Sequence, residues 1–460
     1  MQVKKLGPYT AMGNVTEHSV NNKVDLISGR ALIAARARSH PKEQFNNLVH
    51  HLTYELIEEC LHKIPENSAP GADGMTVNEA KSNLHWILPP LLKQIHQGQY
   101  QAPPVRRVYI PKGEGKQRPI GVPTVIDRSI QAGMAQILNE IYEQDFLKCS
   151  FGFRPNLGCH HALATINRLL MRWNMNFVLE VDIRDFFGSL NHDWLRRFLG
   201  LRIGDKRVLK LIDAWLTAGV VERDKWEETA LGTPQGGSAS PLLANIYLHY
   251  VLDLWFERRI KKQFSGAAHL ARYCDDFVIL FKSRQGMETM KPLLIARLKQ
   301  FGLEISEEKT HMTDLTPRER RASGGRRCMT FLGFNLIRAK ARTGTGYKIV
   351  FQTEGKRFAR AKAKMKEQIW KMMHFDMKTQ AQRINAILRG HFNYYGLPGN
   401  SRKLELFRQE TVWYWRQCLS RRGQNARVNW VKMEAILKQY QLQRAILKIP
   451  YEKLESYARL

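Results

Sequence analysis

The chain has 460 residues, which at about 150 residues per domain leaves room for roughly three domains or subdomains. Its 43% hydrophobic and 25% charged residues are a globular composition, excluding a collagenous, low-complexity or wholly disordered chain. Lys and Arg number 72 against 42 Asp and Glu; the formal charge of +30 points to a polyanionic partner, nucleic acid above all.

Residues 1–40 are polar and weakly patterned and read as an N-terminal extension, ordered only in part. From Glu43, the spacing of Phe45, Leu48, Leu52, Leu56 and Ile57 predicts a helix. It should end before the loop Ala69-Pro70-Gly71-Ala72-Asp73-Gly74. A second helix is expected over about Val77–Gln97. Val105–Pro111 alternates as a strand, Lys112–Gln117 is a turn, and Arg118–Pro123 is the return strand, giving a hairpin with a basic tip. Ile126 to about Leu147 is helical. Phe177–Ile183 is an apolar strand ending in a carboxylate. A helix starts after Pro241 and closes at His249 and Tyr250, and Leu270–Phe281 is a hairpin folded about Cys274-Asp275-Asp276. From about Lys356 the chain is helical and basic. Strands and helices are intermixed, so the fold class is α+β.

The chemistry is expected at the carboxylates. Asp182 ends one apolar strand, and Asp275 and Asp276 form the tip of a hairpin with apolar flanks. Carboxylates in such surroundings are costly unless neutralised, and Mg²⁺ takes carboxylate and phosphate oxygens. If the strands are neighbours, Asp182 and Asp275 converge, an arrangement suited to two-metal displacement chemistry. The bland reading is that these aspartates cap turns.

Tyr273-Cys274-Asp275-Asp276 resembles the Y-x-D-D box of reverse transcriptases, and its surroundings resemble the group II intron-encoded kind. Ala69–Gly74 resembles the first finger motif. Tyr109-Ile110-Pro111-Lys112 through Arg118–Pro123 resembles the second, and Ser150-Phe151-Gly152-Phe153-Arg154-Pro155 the adjoining insertion. Asp182-Ile183-Arg184-Asp185-Phe186-Phe187 resembles the motif of the first catalytic carboxylate. The most specific match is Gly232-Thr233-Pro234-Gln235-Gly236-Gly237 with Ser240–Leu248. Gly302–Ile305, Glu308-Lys309-Thr310 and Phe331-Leu332-Gly333-Phe334 complete the series.

The resemblance implies a right-hand polymerase in which Asp182 and Asp275, helped by the Ile183 carbonyl, hold two Mg²⁺ ions, with Asp276 as an auxiliary carboxylate. It implies that Lys112 and Arg118 hold the incoming deoxynucleoside triphosphate, that Gln235 contacts the nucleotide and template pair, and that Phe187 is the steric gate against a ribose 2′-hydroxyl. Lys309, Phe331, Leu332 and Gly333 are implied at the primer and template.

The charge is uneven: residues 316–460 carry a net +23, the first 315 only +7. In that last third, aromatic residues lie among basic ones, a composition suited to RNA. The RNA-binding candidates are Lys356, Arg357, Arg360, Lys362, Lys364, Arg389, Arg421 and Arg422, whereas Trp413 and Trp415 read better as helix packing. The segment resembles the thumb and maturase (X) domain. The expected organisation is an extension over 1–40, fingers and palm over 41–350, and a basic helical thumb and X-like domain over 351–460.

The expected partners are RNA template, DNA primer, deoxynucleoside triphosphates and group II intron RNA, with target DNA as a further candidate. Dispersed cysteines without a C-x-x-C pair, no signal-peptide core and no run of 18 apolar residues predict a cytosolic protein without a membrane span; the resemblance implies a bacterial, nucleoid-associated one. No segment with paired cysteines follows the X-like region, so second-strand DNA cleavage is not expected. Departures at Arg184-Asp185, Gly188, Ser238-Ala239 and Cys274 remove no catalytic ligand but put a typical mobile intron protein in doubt, and two alternatives to it are kept, the second of which the intact Asp182, Asp275, Asp276, Lys112, Arg118 and Gln235 count against. One is a domesticated relative in DNA repair, defence or spacer acquisition; the other is a splicing cofactor with an idle polymerase site.

Overall fold

The computed structural model describes residues 29–113, 116–222, 225–227, 232, 236–317, 328–341, 346–423 and 427–460. In chain order the elements are α1 (residues 29–39), α2 (Tyr54–His62), α3 (Val77–Gln97), β1 (Val105–Gly113), β2 (Lys116–Val122), α4 (Val125–Asp145) and α5 (Cys159–Arg172). Then come β3 (Phe177–Asp182), α6 (Phe186–Ser189), α7 (His192–Gly200), α8 (Lys206–Leu216), β4 (Val220–Glu222), β5 (Lys225–Glu227), α9 (Ser240–Leu248) and α10 (Lys261–Gln263). The remainder is β6 (Ala268–Tyr273), β7 (Asp276–Phe281), α11 (Arg284–Lys299), β8 (His311–Asp314), β9 (Met329–Phe331), β10 (Phe334–Lys340) and β11 (Tyr347–Thr353). These lead into α12 (Gly355–Lys371), α13 (Met377–Tyr395), α14 (Ser401–Leu419), α15 (Trp430–Gln439) and α16 (Tyr451–Ser456).

The chain forms two compact units interleaved in sequence. One runs up to Phe146 and resumes over Asp185–Tyr247; the other comprises Leu147–Arg184 and Leu248–Leu460.

In the first unit α3 forms as its pattern predicts. Thr76 and Glu79 make a reciprocal capping box, Leu84, Leu88 and Ile95 are buried, and left-handed Gly98 ends the helix. The helix expected from Glu43 is present only from Tyr54 onward, as α2, with Leu56 and Ile57 buried. Phe45 pairs in an isolated bridge with Ile203, left-handed Asn47 breaks the path, and α2 starts only after Thr53, whose hydroxyl accepts from the Leu56 amide. The apolar residues before Thr53 are buried all the same, so helical spacing there reflects burial of an irregular segment. α1 falls inside the expected extension. It buries only Ile33 and Ala37, and its Arg30 and Arg38 donate to Gln136 and Gln144 of α4. The hairpin β1–β2 forms with Ile110 opposite Arg118, in a sheet of order β2-β1-β4-β5, but its strands reach further than expected: Pro111 pairs with Gln117 and Gly113 with Lys116, inside the segment expected as the turn.

The second unit is built on an antiparallel sheet of order β6-β7-β3-β8, with β3 between β7 and β8. A second sheet, β11-β10-β9, shares its core. Val178, Val278 and Leu280 of the first pack with Phe331, Phe334 and Phe351 of the second and with Leu169 of α5. α12, α13 and α14 have their own core around Met365, Leu388, Phe407 and Trp415. The helix after Pro241 does not close at Tyr250. It continues through wider turns over His249–Asp253 and Phe256–Ile260 into α10. Arg297 donates to the carbonyls of Tyr250 and Val251 there, partners that a regular helical turn would supply internally. No helix among the described residues is long and apolar enough to cross a membrane.

Candidate active site

Side chains alternate along a strand, so Glu180 and Asp182 share one face of β3. The register sets Asp182 opposite Asp276 on β7, and Asp276 is in turn opposite Tyr273 on β6. Cys274 and Asp275 are the two-residue loop between β6 and β7. Three carboxylates thus meet at one end of the sheet. Burial, then the charges of Asp275 and Asp182, push the Asp276 carboxyl up to about 7, while Arg357 pulls it down and Glu180 adds to the rise.

The Ile183 carbonyl is aimed by the ladder. Ile183 faces Ile305 in an antiparallel bridge whose flanking bonds run from Arg184 N to Glu304 O and from Ser306 N to Asp182 O, each 2.8 Å. Ile183's own polar groups therefore point away from Ile305, toward the β7 side that carries Asp276. Lys309 lies on the carboxylate itself, its Nζ 2.6 Å from Asp182 Oδ2.

The Tyr273–Asp276 turn is held from behind by the 150–155 motif and by Arg272 and Asp253, two residues the sequence reading did not single out. Arg272 and Asp253 form an ion pair with both side chains 0% exposed and Nη2 2.6 Å from Oδ2. Arg272 also donates to the Cys274 carbonyl at 3.0 Å and to Ser150 Oγ at 2.8 Å. The 150–155 motif runs beside β6, with Phe151 N donating to Arg272 O. A Cβ on Gly152 would sit 2.6 Å from Cys274 N, so only glycine lets this segment lie against the turn. Cys274 has φ +59°, a left-handed conformation uncommon for a residue with a side chain. These partners fix it there.

The 331–334 motif is the tight turn from β9 to β10. Phe331 pairs with Phe334, and Leu332 and Gly333 both have positive φ, +49° and +78°, the primed turn favoured in hairpins. The Tyr394 hydroxyl donates to the Leu332 carbonyl at 2.9 Å, and a Cβ on Gly333 would collide with Arg357. Phe331 is buried and serves the core. Glu180, also missed, accepts from Thr330 N at 2.9 Å and from Thr313 Oγ1. A lone acidic residue inside the apolar run Phe177–Val181 was its only signal.

The expected nucleotide contacts belong to the first unit. Arg118 is exposed on β2. Phe187 is half-buried in α6, edge-on to Phe186 at 5.4 Å, just after left-handed Asp185. Gln235 and the side chain of Lys112 lie outside the described residues.

Of the RNA-binding candidates, Lys356, Arg360 and Lys364 recur every four residues and form one exposed stripe on α12, and Arg389 is exposed on α13. Others are committed within the protein. Lys362 pairs with Glu410 at 3.1 Å, Arg357 with Glu354 at 3.5 Å, and Arg422 donates to the Phe375 carbonyl. Arg421 stacks over Trp370. Trp415 is buried as helix packing, donating to Gln380, but Trp413 is 39% exposed.

The hard-oxygen donors Asp182, Asp275 and Asp276 fit Mg²⁺, whose charge relieves the crowding that raises Asp276. Among the described residues no group of three or more His, Cys, Asp and Glu is arranged as a metal cage.

Comparison with known proteins agrees with this geometry. The reverse transcriptase (RNA-dependent DNA polymerase) family matches residues 110–336. Protein YkfC of Escherichia coli is 30% identical over 60% of this chain and 77% of its own length. The group II intron-encoded protein LtrA of Lactococcus lactis is 30% identical over 73% of this chain and 66% of its own. The Pol polyprotein of the R2DM retrotransposable element of Drosophila melanogaster is 24% identical over 54% of this chain but only 25% of its own. The chain belongs to the reverse transcriptases, RNA-directed DNA polymerases with a right-hand fold and a divalent-metal requirement. Within that family it groups with the group II intron-encoded reverse transcriptase/maturase proteins.

Proposed function

We propose that the protein copies RNA by adding deoxynucleotides to a primer 3′-hydroxyl with two Mg²⁺ ions, and that it binds group II intron RNA as a splicing maturase. The observation that carries the reading is the placement of Asp182 opposite Asp276, with Asp275 in the adjoining turn. In this reading Asp182, Asp275 and the Ile183 carbonyl hold the ions, which when bound lower the pKa of the primer hydroxyl and neutralise the leaving diphosphate. Asp276 adds negative charge beside them. The Leu332–Gly333 turn supports the primer end, and Lys309 keeps Asp182 oriented. Lys112 and Arg118 take the triphosphate, Gln235 the nascent pair. Fingers and palm then span 41–350 and the thumb and X-like domain 351–460, with the Lys356, Arg360 and Lys364 stripe on phosphates.

Phe187 is the proposed sugar gate. Steric exclusion of one hydroxyl by an apolar wall is worth about 10²-fold, so Phe187→Ala should lose up to that much discrimination against ribonucleotides. Single-nucleotide incorporation with matched deoxy- and ribonucleotides measures this, and unchanged sugar selectivity would remove Phe187 from the role.

The maturase half is tested by purifying the protein from its host and sequencing the RNA that accompanies it. One abundant structured intron RNA is the expected result. A diverse pool with active primer extension would instead mean a polymerase without a dedicated intron.

A further inference from the structure

The two sheets of the second unit are packed by apolar residues, and one buried carboxylate ties them together. Glu180 is 5% exposed. One of its oxygens accepts from the Thr313 hydroxyl on β8, inside its own sheet; the other accepts at 2.9 Å from the Thr330 amide on β9, in the second sheet. Glu180 stands two residues before Asp182 on the same strand face, and Thr330 two residues before Leu332 at the turn. Thr330 is itself fixed, its hydroxyl donating to Asn335 across the hairpin at 3.1 Å. Apolar contacts between Val178, Leu280, Phe331 and Phe334 could hold the sheets together but are not directional. Burying a carboxylate is costly, and what the bonds to Thr313 and Thr330 add is a defined register between strands from different sheets.

We propose that Glu180 is a positioning residue that sets the distance between the Asp182 carboxylate and the Leu332–Gly333 turn, and so the place where the primer 3′ end meets the reacting phosphate. The proposal rests on the reading of that turn as the primer support. Bond formation is steeply sensitive to such placement: an error of about 1 Å costs on the order of 10²-fold.

The test is single-nucleotide incorporation by the full chain, normalised to active sites, on matched and 3′-mismatched primers annealed to RNA. Glu180→Gln keeps the geometry, since its amide oxygen accepts from Thr330 and its NH₂ donates to Thr313. It should stay within about threefold of wild type, while Glu180→Ala falls about 10²-fold in kcat with primer–template affinity nearly unchanged and mismatch discrimination weakened. A merely structural Glu180 predicts otherwise: fewer active Glu180→Ala molecules, each with normal kcat and normal discrimination. That outcome overturns the proposal, as does a Glu180→Gln enzyme damaged as badly as Glu180→Ala. Should Glu180→Ala not fold, Thr313→Val removes the Thr313 bond and leaves the carboxylate; unchanged mismatch discrimination there counts equally against the idea. Gly333→Val tests the underlying reading separately, by breaking the turn itself. If that variant extended primers normally, the turn would not be the primer support, whatever Glu180 does.

Discussion

Asp275→Ala is expected to abolish DNA synthesis, by about 10³-fold or more, while leaving affinity for structured RNA within about twofold. The two effects separate because they come from different parts of the chain. Asp275 lies in the loop between β6 and β7, beside the two other carboxylates, and its charge raises Asp276. Removing it takes away a proposed ligand without touching α12, where Lys356, Arg360 and Lys364 are exposed. RNA attraction scales with the number of phosphates neutralised, and losing one carboxylate does not reduce that number. Primer extension and filter binding on the same preparation decide the matter. If affinity fell as steeply as synthesis, the separation of catalysis from the basic last third would be wrong.

The second large effect is expected away from the reacting groups. Asp253→Ala takes away the carboxylate that faces the charged Arg272 guanidinium at 2.6 Å, where neither side chain meets solvent. Breaking a buried pair from one side costs about 3–5 kcal/mol, whereas replacing both members by apolar residues is often neutral. Asp253→Ala should therefore unfold at markedly lower denaturant concentration, and the double variant Arg272→Met with Asp253→Leu should recover most of that loss. Recovery of stability should not bring recovery of activity, because the double variant still lacks the guanidinium bond to the Cys274 carbonyl. Equal stability of the single and double variants would show that the pair's charges are not the source of the loss.

What could be read from the sequence, and what could not, follows from the range of the interactions. α3 was legible to its ends because its signals are local: a capping pair, a repeating apolar face and a terminal glycine. The strand ending at Asp182 and the hairpin at Asp275 were legible for the same reason, and the resemblance supplied their convergence, which the register then displays. Phe45 and Leu48 misled because burial alone, without helix, can produce helical spacing; the deciding contact, with Ile203, lies more than 150 residues away. The Arg272–Asp253 pair and the Glu180 bridge had no local signature. An acidic residue at position 253 reads as an ordinary helical surface residue until the fold places Arg272 beside it. Lys362 and Arg422 were legible as basic but not as already paired, since Glu410 and the Phe375 carbonyl are distant in sequence.

The central position of β3 bears on how the protein is made. Its neighbours in the sheet are β7 and β8, so the strand carrying Asp182 is completed only when Asp314 has been added, some 132 positions later. At a translation rate of about 5–20 residues per second, about 7–26 s pass between the two events. For that time the edge of β3 from Phe177 to Glu180 lacks its β8 partner, while the intervening segment 185–247 emerges and belongs to the other unit. Non-local pairing of this kind is slow and exposes apolar backbone edges to other nascent chains. The strand that carries Asp182, a proposed metal ligand, is therefore one whose edge depends on protection during synthesis.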